Sequence, residues 1–202
     1  AIVAIDDAII IHRSTPDNRV LALSLGVRAR SLHHLGRADE ADSSREEAEA
    51  LIRRYSLTGT VSTLPLLASA DLRLAQLESA QSDASKKRAA KRAVRAMWRQ
   101  GKSVHDDGDV ERFRVAGTLA WLLGRHDRAT HHWSEGLKRS EQLDARYARA
   151  RLLLERGMRV GEPEDVRQAS ELFDQSEAFA ERRLAEHWLA ERGAERPTAA
   201  IA

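Results

Sequence analysis

The chain has 202 residues, enough for one domain or two small ones. Thirty-three Lys and Arg against 31 Asp and Glu leave a net charge of +2, which excludes a uniformly basic nucleic-acid binder. Zero cysteine excludes disulfides, thiolate catalysis and Cys-ligated zinc.

Aromatics are 4% and prolines four, while Ala, Leu, Arg and Glu are abundant. That composition favours helix over sheet. No apolar run approaches the length of a membrane span; Ala8-Ile9-Ile10-Ile11 stops at His12. The opening residues lack the positive region and apolar core of a signal peptide, and a cytoplasmic location is expected. Residues 1–14 read as the end of a preceding helix, with Ile2, Ile5 and Ile9 on one side, so a piece of a longer protein is expected. A helical-repeat domain is expected over 15–192, and a flexible tail over 193–202.

Breakers then fall in order at Ser14–Asp17, Leu35–Arg37, Leu57–Thr60, Gln81–Ser85, Asp106–Asp109, Gly124–Asp127, Gln142–Asp144 and Val160–Pro163. The stretches between them have ordinary helix length. Asp17, Asp109 and Glu162 or Pro163 stand where helices begin. In 86–104 the apolar positions are Ala90, Val94, Met97, Gly101 and Val104, one face of a helix. Phe113, Ala116, Ala120 and Leu123 repeat the pattern, as do Tyr147, Ala150, Leu154 and Met158. Over 164–180 it is carried by Val166, Ala169, Phe173 and Ala180. The spacing predicts nine or ten helices and no sheet.

Two windows match in frame: Leu35-Gly36-Arg37-Ala38-Asp39-Glu40-Ala41 and Leu123-Gly124-Arg125-His126-Asp127-Arg128-Ala129. The Gly suits a left-handed helix end, and the Asp suits the dipole of the next helix. The windows lie 88 residues apart, with breaks between and beyond them that imply a period near 40. The stretch 113–136 resembles a tetratricopeptide (TPR) repeat through Phe113, Gly117, Gly124, Ala129, Trp133 and Gly136. Gly26 or Ala29, Leu32, Gly36, Ala41 and Ala48 occupy the matching positions of an earlier unit. Tyr147, Leu154, Ala169, Phe173 and Ser176 occupy those of a later one. The unit between 60 and 104 matches least.

The resemblance implies an all-α, right-handed solenoid of antiparallel helices, of the longer-period kind found in bacterial signalling ATPases and transcription activators. It implies a non-catalytic protein-interaction scaffold without a cofactor. Its groove positions fall on Arg30, His33 and His34, on Arg114, Thr118 and Trp121, and on Leu152, Glu155 and Arg156. Arg, His and one aromatic in a groove suit an acidic or C-terminal peptide. The alternative is a regulatory array that senses a ligand or another domain of the same protein. Self-association through the solenoid ends is a further possibility of such arrays.

Other candidate chemistry is weak. Gly101-Lys102-Ser103 lacks the earlier glycine of a phosphate-binding loop. His33-His34 and His126, His131 and His132 lack metal-ligand spacing. No nucleophile elbow occurs. The sharpest feature is basic: Arg88, Arg92, Arg95, Arg99 and Lys102 form one helical stripe, with no acidic residue in 86–102. It reads either as a surface for an anionic partner, nucleic acid being the lesser alternative, or as a solvated face balanced by Glu46, Glu47 and Glu49.

Overall fold

The computed structural model describes residues 2–80, 82–100 and 108–194. Those residues form ten α-helices and no strand. They are α1 (Ile2–Arg13), α2 (Asn18–His34), α3 (Ala38–Tyr55), α4 (Thr60–Ser79), α5 (Ala84–Gln100), α6 (Gly108–Leu122), α7 (His126–Gln142), α8 (Arg146–Val160), α9 (Pro163–Gln175) and α10 (Phe179–Ala194). Each helix packs on the next, and α2, α4, α6 and α8 also pack on one another in series. Even-numbered helices therefore form one layer, and α3, α5, α7 and α9 pack as their partners. No helix among the described residues is long and apolar enough to cross a membrane.

Local chemistry explains the helix starts. The Asp17 carboxylate accepts a hydrogen bond from the Arg19 N–H at 3.0 Å and caps α2. Asp39, Asp109 and Asp127 stand in first turns, where the dipole favours an anion. Pro163 opens α9, where its missing N–H costs nothing.

The helix ends share one device. Gly36, Gly124 and Gly161 have positive φ, and so do Ser56, Asp144 and Glu177. In each case the next residue's N–H returns to a carbonyl five residues back. The bonds are Arg37 to Leu32, Arg125 to Ala120, Ala145 to Ser140, Leu57 to Ile52, Ala178 to Phe173 and Glu162 to Gly157, all 2.9–3.1 Å. This geometry satisfies two orphan carbonyl positions and turns the chain for an antiparallel partner. The break at Glu177 corrects the sequence reading of 164–180. The helix ends at Gln175, and Ala180 lies exposed on α10 instead of continuing the face of Phe173.

Apolar packing is serial. Ile9, Leu21, Leu25 and Ala48 join α1, α2 and α3. Leu66, Leu67, Leu74, Ala90, Val94 and Met97 belong to the core around α4 and α5. Ala129, Trp133, Ala148 and Leu152 join α7 to α8, and Leu154, Val166 and Phe173 join α8 to α9. The cluster around α4 and α5 is the broadest, reaching from Ala22 of α2 and Ile52 of α3 to Val115 and Ala116 of α6. On α1, Ile2, Ile5 and Ile9 face this packing while Val3, Ile10 and Ile11 are exposed. Gly101, Val104 and the tripeptide Gly101-Lys102-Ser103 lie outside the described residues. So does the expected tail, except that α10 runs to Ala194.

Two glycines set how closely helices approach. A Cβ on Gly26 would stand 2.7 Å from the Cα of Pro65, so the α2 backbone lies directly on α4. Pro65 sits inside α4 and does not break it. A Cβ on Gly117 would stand 2.2 Å from Nε1 of the wholly buried Trp133, which fills the α6–α7 interface. Backbone cannot yield as a flexible side chain can. Gly26→Ala is therefore expected to destabilise the chain by about 2 kcal/mol, against a helix-propensity gain of about 1 kcal/mol. Urea unfolding measures it, and a variant as stable as the parent would mean that α2 and α4 are less closely packed.

Candidate functional site

Five even-numbered helices converge on a cleft of about 460 Å³. Arg30 and His34 reach it from α2, Glu78 from α4, Arg114 and Trp121 from α6. Arg151, Glu155 and Arg159 come from α8, and Glu181 from α10. Its apolar wall is Leu154, Met158, Leu184 and Trp188.

The floor is a buried ionic network across three helices. Asp71 of α4 accepts from Arg114 Nη2 at 2.5 Å and from Arg151 Nη2 at 3.0 Å. Glu111 of α6 accepts from Arg114 Nε and Arg151 Nη1, each at 2.5 Å. Two carboxylates and two guanidiniums thus close a four-membered ring of charge. Glu155 lies 3.8 Å from Arg114 Nη1 and accepts from the Thr118 hydroxyl at 2.9 Å. Arg159 bonds Glu155 and reaches both oxygens of Glu78, at 2.9 and 3.1 Å.

Electrostatics follow from burial set against charge. Desolvation alone would raise the Asp71 carboxyl, but the charges of Arg114 and Arg151 outweigh it and hold the group well below the usual carboxylate range. Burial would likewise lower Arg114, but Asp71, Glu111 and Glu155 raise it above the ordinary arginine value. Both groups stay ionised because each is the other's replacement for water. His34 is lowered by burial and then by the neighbouring Arg30, so it is neutral at pH 7.

Arg30 differs from the other arginines of the cleft. Its one hydrogen bond to a described residue runs from Nη2 to the Tyr147 hydroxyl at 3.0 Å. Tyr147 donates in turn to Glu181 at 2.7 Å, which links α2, α8 and α10 across the cleft. No carboxylate of a described residue lies within 4 Å of Arg30, and its guanidinium nitrogens are not among the buried unpaired atoms. The remaining N–H groups are therefore open to the cleft.

Of the groove positions implied by the sequence, Arg30, His34, Arg114, Trp121 and Glu155 line one cleft. Within that set Arg114, 4% exposed, is saturated by Asp71 and Glu111 and acts as a strut beneath the surface. The other positions lie elsewhere. Thr118 and Leu152 are buried. Arg156 grips Asp165 of α9 through two bonds, 2.5 and 2.6 Å, and staples α8 to α9. His33 stacks near His34 and does not line the cleft. Trp121 fills both roles left open by sequence: it packs against Trp133 and His126 and also borders the cleft. The described residues contain no group of three His, Asp or Glu able to hold a metal ion.

Sequence reasoning missed Asp71, Glu78, Glu111, Arg151, Arg159 and Glu181. One signal was available: Asp71 is the one acidic residue in the Leu- and Ala-rich stretch 61–77. A carboxylate there must find a cation or force the helix apart. The basic stripe also stands differently from one of its two readings. Arg88, Arg92, Arg95 and Arg99 are exposed on α5, opposite buried Ala90, Val94 and Met97, and Lys102 lies outside the described residues. The glutamates offered as balance are engaged elsewhere. Glu46 and Glu49 pair with Arg45, and Glu47 pairs with Arg13.

Because the folded pKa of Asp71 is depressed, its contribution is complete above the ordinary value of 3.8 and is lost as pH falls below it. Asp71→Asn is expected to cost about 3 kcal/mol at pH 7 by stranding Arg114 and Arg151. That gap should narrow as the pH approaches about 2. Denaturant titrations of both proteins across this range measure it, and a gap independent of pH would contradict the assigned ion pairs. No protein-family model matches the chain, and no curated protein is detectably similar to it in sequence.

Proposed function

We propose that this chain is a non-catalytic protein-interaction scaffold, a right-handed solenoid of TPR-like helical hairpins that holds a peptide segment in the cleft of its even-numbered helices. Arg30 carries the reading. It is a half-buried cation facing a cleft whose other arginines are already paired with carboxylates. A peptide carboxylate, from an acidic side chain or a free C-terminus, would complete its hydrogen bonds with charge-assisted geometry. Leu154, Met158, Leu184 and Trp188 offer apolar surface beside it, with Leu184 48% exposed. A flexible thioether and an exposed leucine adapt to differing side chains.

The serial packing of helices supports the same reading. A stack of interfaces gives an extended layer on which successive helices present side chains to one ligand. The cleft volume also suits a small carboxylate ligand, which is how a regulatory array would use the same residues. Arg30 is the anchor in either case.

Selection from a library of random peptides with free C-termini distinguishes these. Peptides carrying a carboxylate next to large apolar residues are expected to enrich. Their affinity should fall by about tenfold in Arg30→Met and be largely retained in Arg30→Lys. Intrinsic fluorescence of Trp121 and Trp188 gives the titration signal. Equal enrichment on parent and Arg30→Met would sink the peptide reading. A small dicarboxylate that binds while no peptide does would favour the regulatory array.

A further inference from the structure

A second cleft, of about 480 Å³, lies between α5, α6 and α7. It is bounded by α5 and α7 and lined by different residues from the first. Its lining includes the aliphatic side chains of Val94, Leu119 and Leu123 with Ala116 and Ala120. Its charged groups are all basic: Lys91 and Arg95 from α5, Arg125 before α7 and Arg128 within its first turn. No Asp or Glu lines it among the described residues, and none of the four cations has a carboxylate oxygen of a described residue within 4 Å. His132, also at the cleft, is lowered by burial and then by Arg128 and His131, so it adds no charge at pH 7.

This distribution sets the cleft apart from the rest of the molecule. Arg45, Arg114, Arg151, Arg156 and Arg159 each satisfy themselves on carboxylates within the fold. Around the second cleft four cations stand without an ion-pair partner among the described residues. Their approach to α6 and α7 is sustained by the packing of Val94 and Met97, not by charge. An occupant must therefore bring two things together: apolar side chains for the floor and negative charge for both rims.

Nucleic acid meets only the second condition. The lining is mostly aliphatic, and the one indole in it, Trp98, is already engaged. The Arg112 guanidinium lies 4.7 Å from its centroid, and the Phe113 and His132 rings meet it edge-on at 5.2 and 5.6 Å. A base would have one half-buried, already crowded indole on which to stack, where single-strand binders offer several. A helix with leucine-type residues on one face and glutamate or aspartate on both flanks meets both conditions.

We propose that the α5–α6–α7 cleft is a second docking site, which takes an acidic amphipathic helix of a partner protein. The partner's apolar face lies on Leu119 and Leu123, and its flanking carboxylates pair with Lys91 and Arg95 on one side and Arg125 and Arg128 on the other. The site is independent of the Arg30 cleft and stands or falls apart from it.

The test uses the whole chain and a fluorescein-labelled peptide of about 18 residues, with Leu on one helical face and Glu on its flanks. A scrambled peptide of the same composition and a single-stranded 20-nucleotide DNA are the comparison probes. Fluorescence anisotropy at about 50 mM salt should show saturable binding of the amphipathic peptide, weakened at about 300 mM. The scrambled peptide should bind at least about tenfold more weakly. Arg95→Glu with Arg128→Glu, both at exposed positions, should lose about tenfold or more, and Leu123→Ser several-fold. Circular dichroism checks the fold, and Arg95→Gln with Arg128→Gln should give an intermediate loss should the reversed pair unfold. Equal binding of the scrambled peptide, undiminished binding to both double variants, no peptide binding at about 100 μM, or tighter binding of the DNA than the peptide would each overturn the proposal.

Discussion

The guanidinium of Arg114 is the group on which the even-numbered layer depends. It is buried at the centre of α6, where an unpaired charge would cost far more than one helix interface provides. Asp71 of α4 and Glu111 of its own helix supply the counter-charges, and Arg151 of α8 bridges the same two carboxylates. The registers of α4, α6 and α8 are thereby coupled. Sliding one helix by a turn would move a carboxylate about 5.4 Å from its partner and leave two charges in a dry interface. Apolar packing between small residues would tolerate such a slip far better, since Ala and Leu present similar surfaces one turn apart.

Close approach is the second constraint. Gly26 lets the α2 backbone rest on Pro65, and Gly117 leaves room for the Trp133 ring. At the helix ends, six left-handed residues close the turn with the same backbone hydrogen bond. Three of these are glycine and were legible as punctuation. Ser56, Asp144 and Glu177 do the same work with side chains that give little warning, which is why the α9–α10 boundary escaped the periodicity. The tertiary hydrogen bond from Ala178 back to Phe173, and the packing that accompanies it, holds Glu177 in a conformation its own preference would not select.

Charge is partitioned between the inside of the layer and the outside of the stack. Inside, arginines and carboxylates cancel in pairs and rings, and Arg30 is left with a tyrosine hydroxyl. Outside, α5 carries an unbroken basic face while the acidic residues of α3 are held by Arg45 and Arg13. A net charge of +2 conceals this arrangement, because it sums groups that never meet. The two clefts consequently differ in what they ask of a ligand: one carboxylate beside an adaptable apolar wall, or charge along both flanks of an apolar helix.

Sequence by itself determined that the chain is helical, where most helices begin and end, and which faces are apolar. These are local properties: capping groups, left-handed glycines and a 3.6-residue period act over a few residues. It also placed Trp133 and Phe173 in the core, and Arg30, His34, Arg114, Trp121 and Glu155 on positions that the structure gathers into one cleft. Tertiary structure alone decided which of those charges remain available. Arg114 and Arg30 are both arginines near the middle or end of an even-numbered helix, and along the chain only Glu111, three positions before Arg114, distinguishes the buried strut from the open cation. The difference lies largely in Asp71, 43 positions from Arg114 and brought to it by the packing of α4 on α6, while no carboxylate of a described residue reaches Arg30. Ion pairing is fixed by distance in space, and distance in space between helices is what the one-dimensional pattern does not contain.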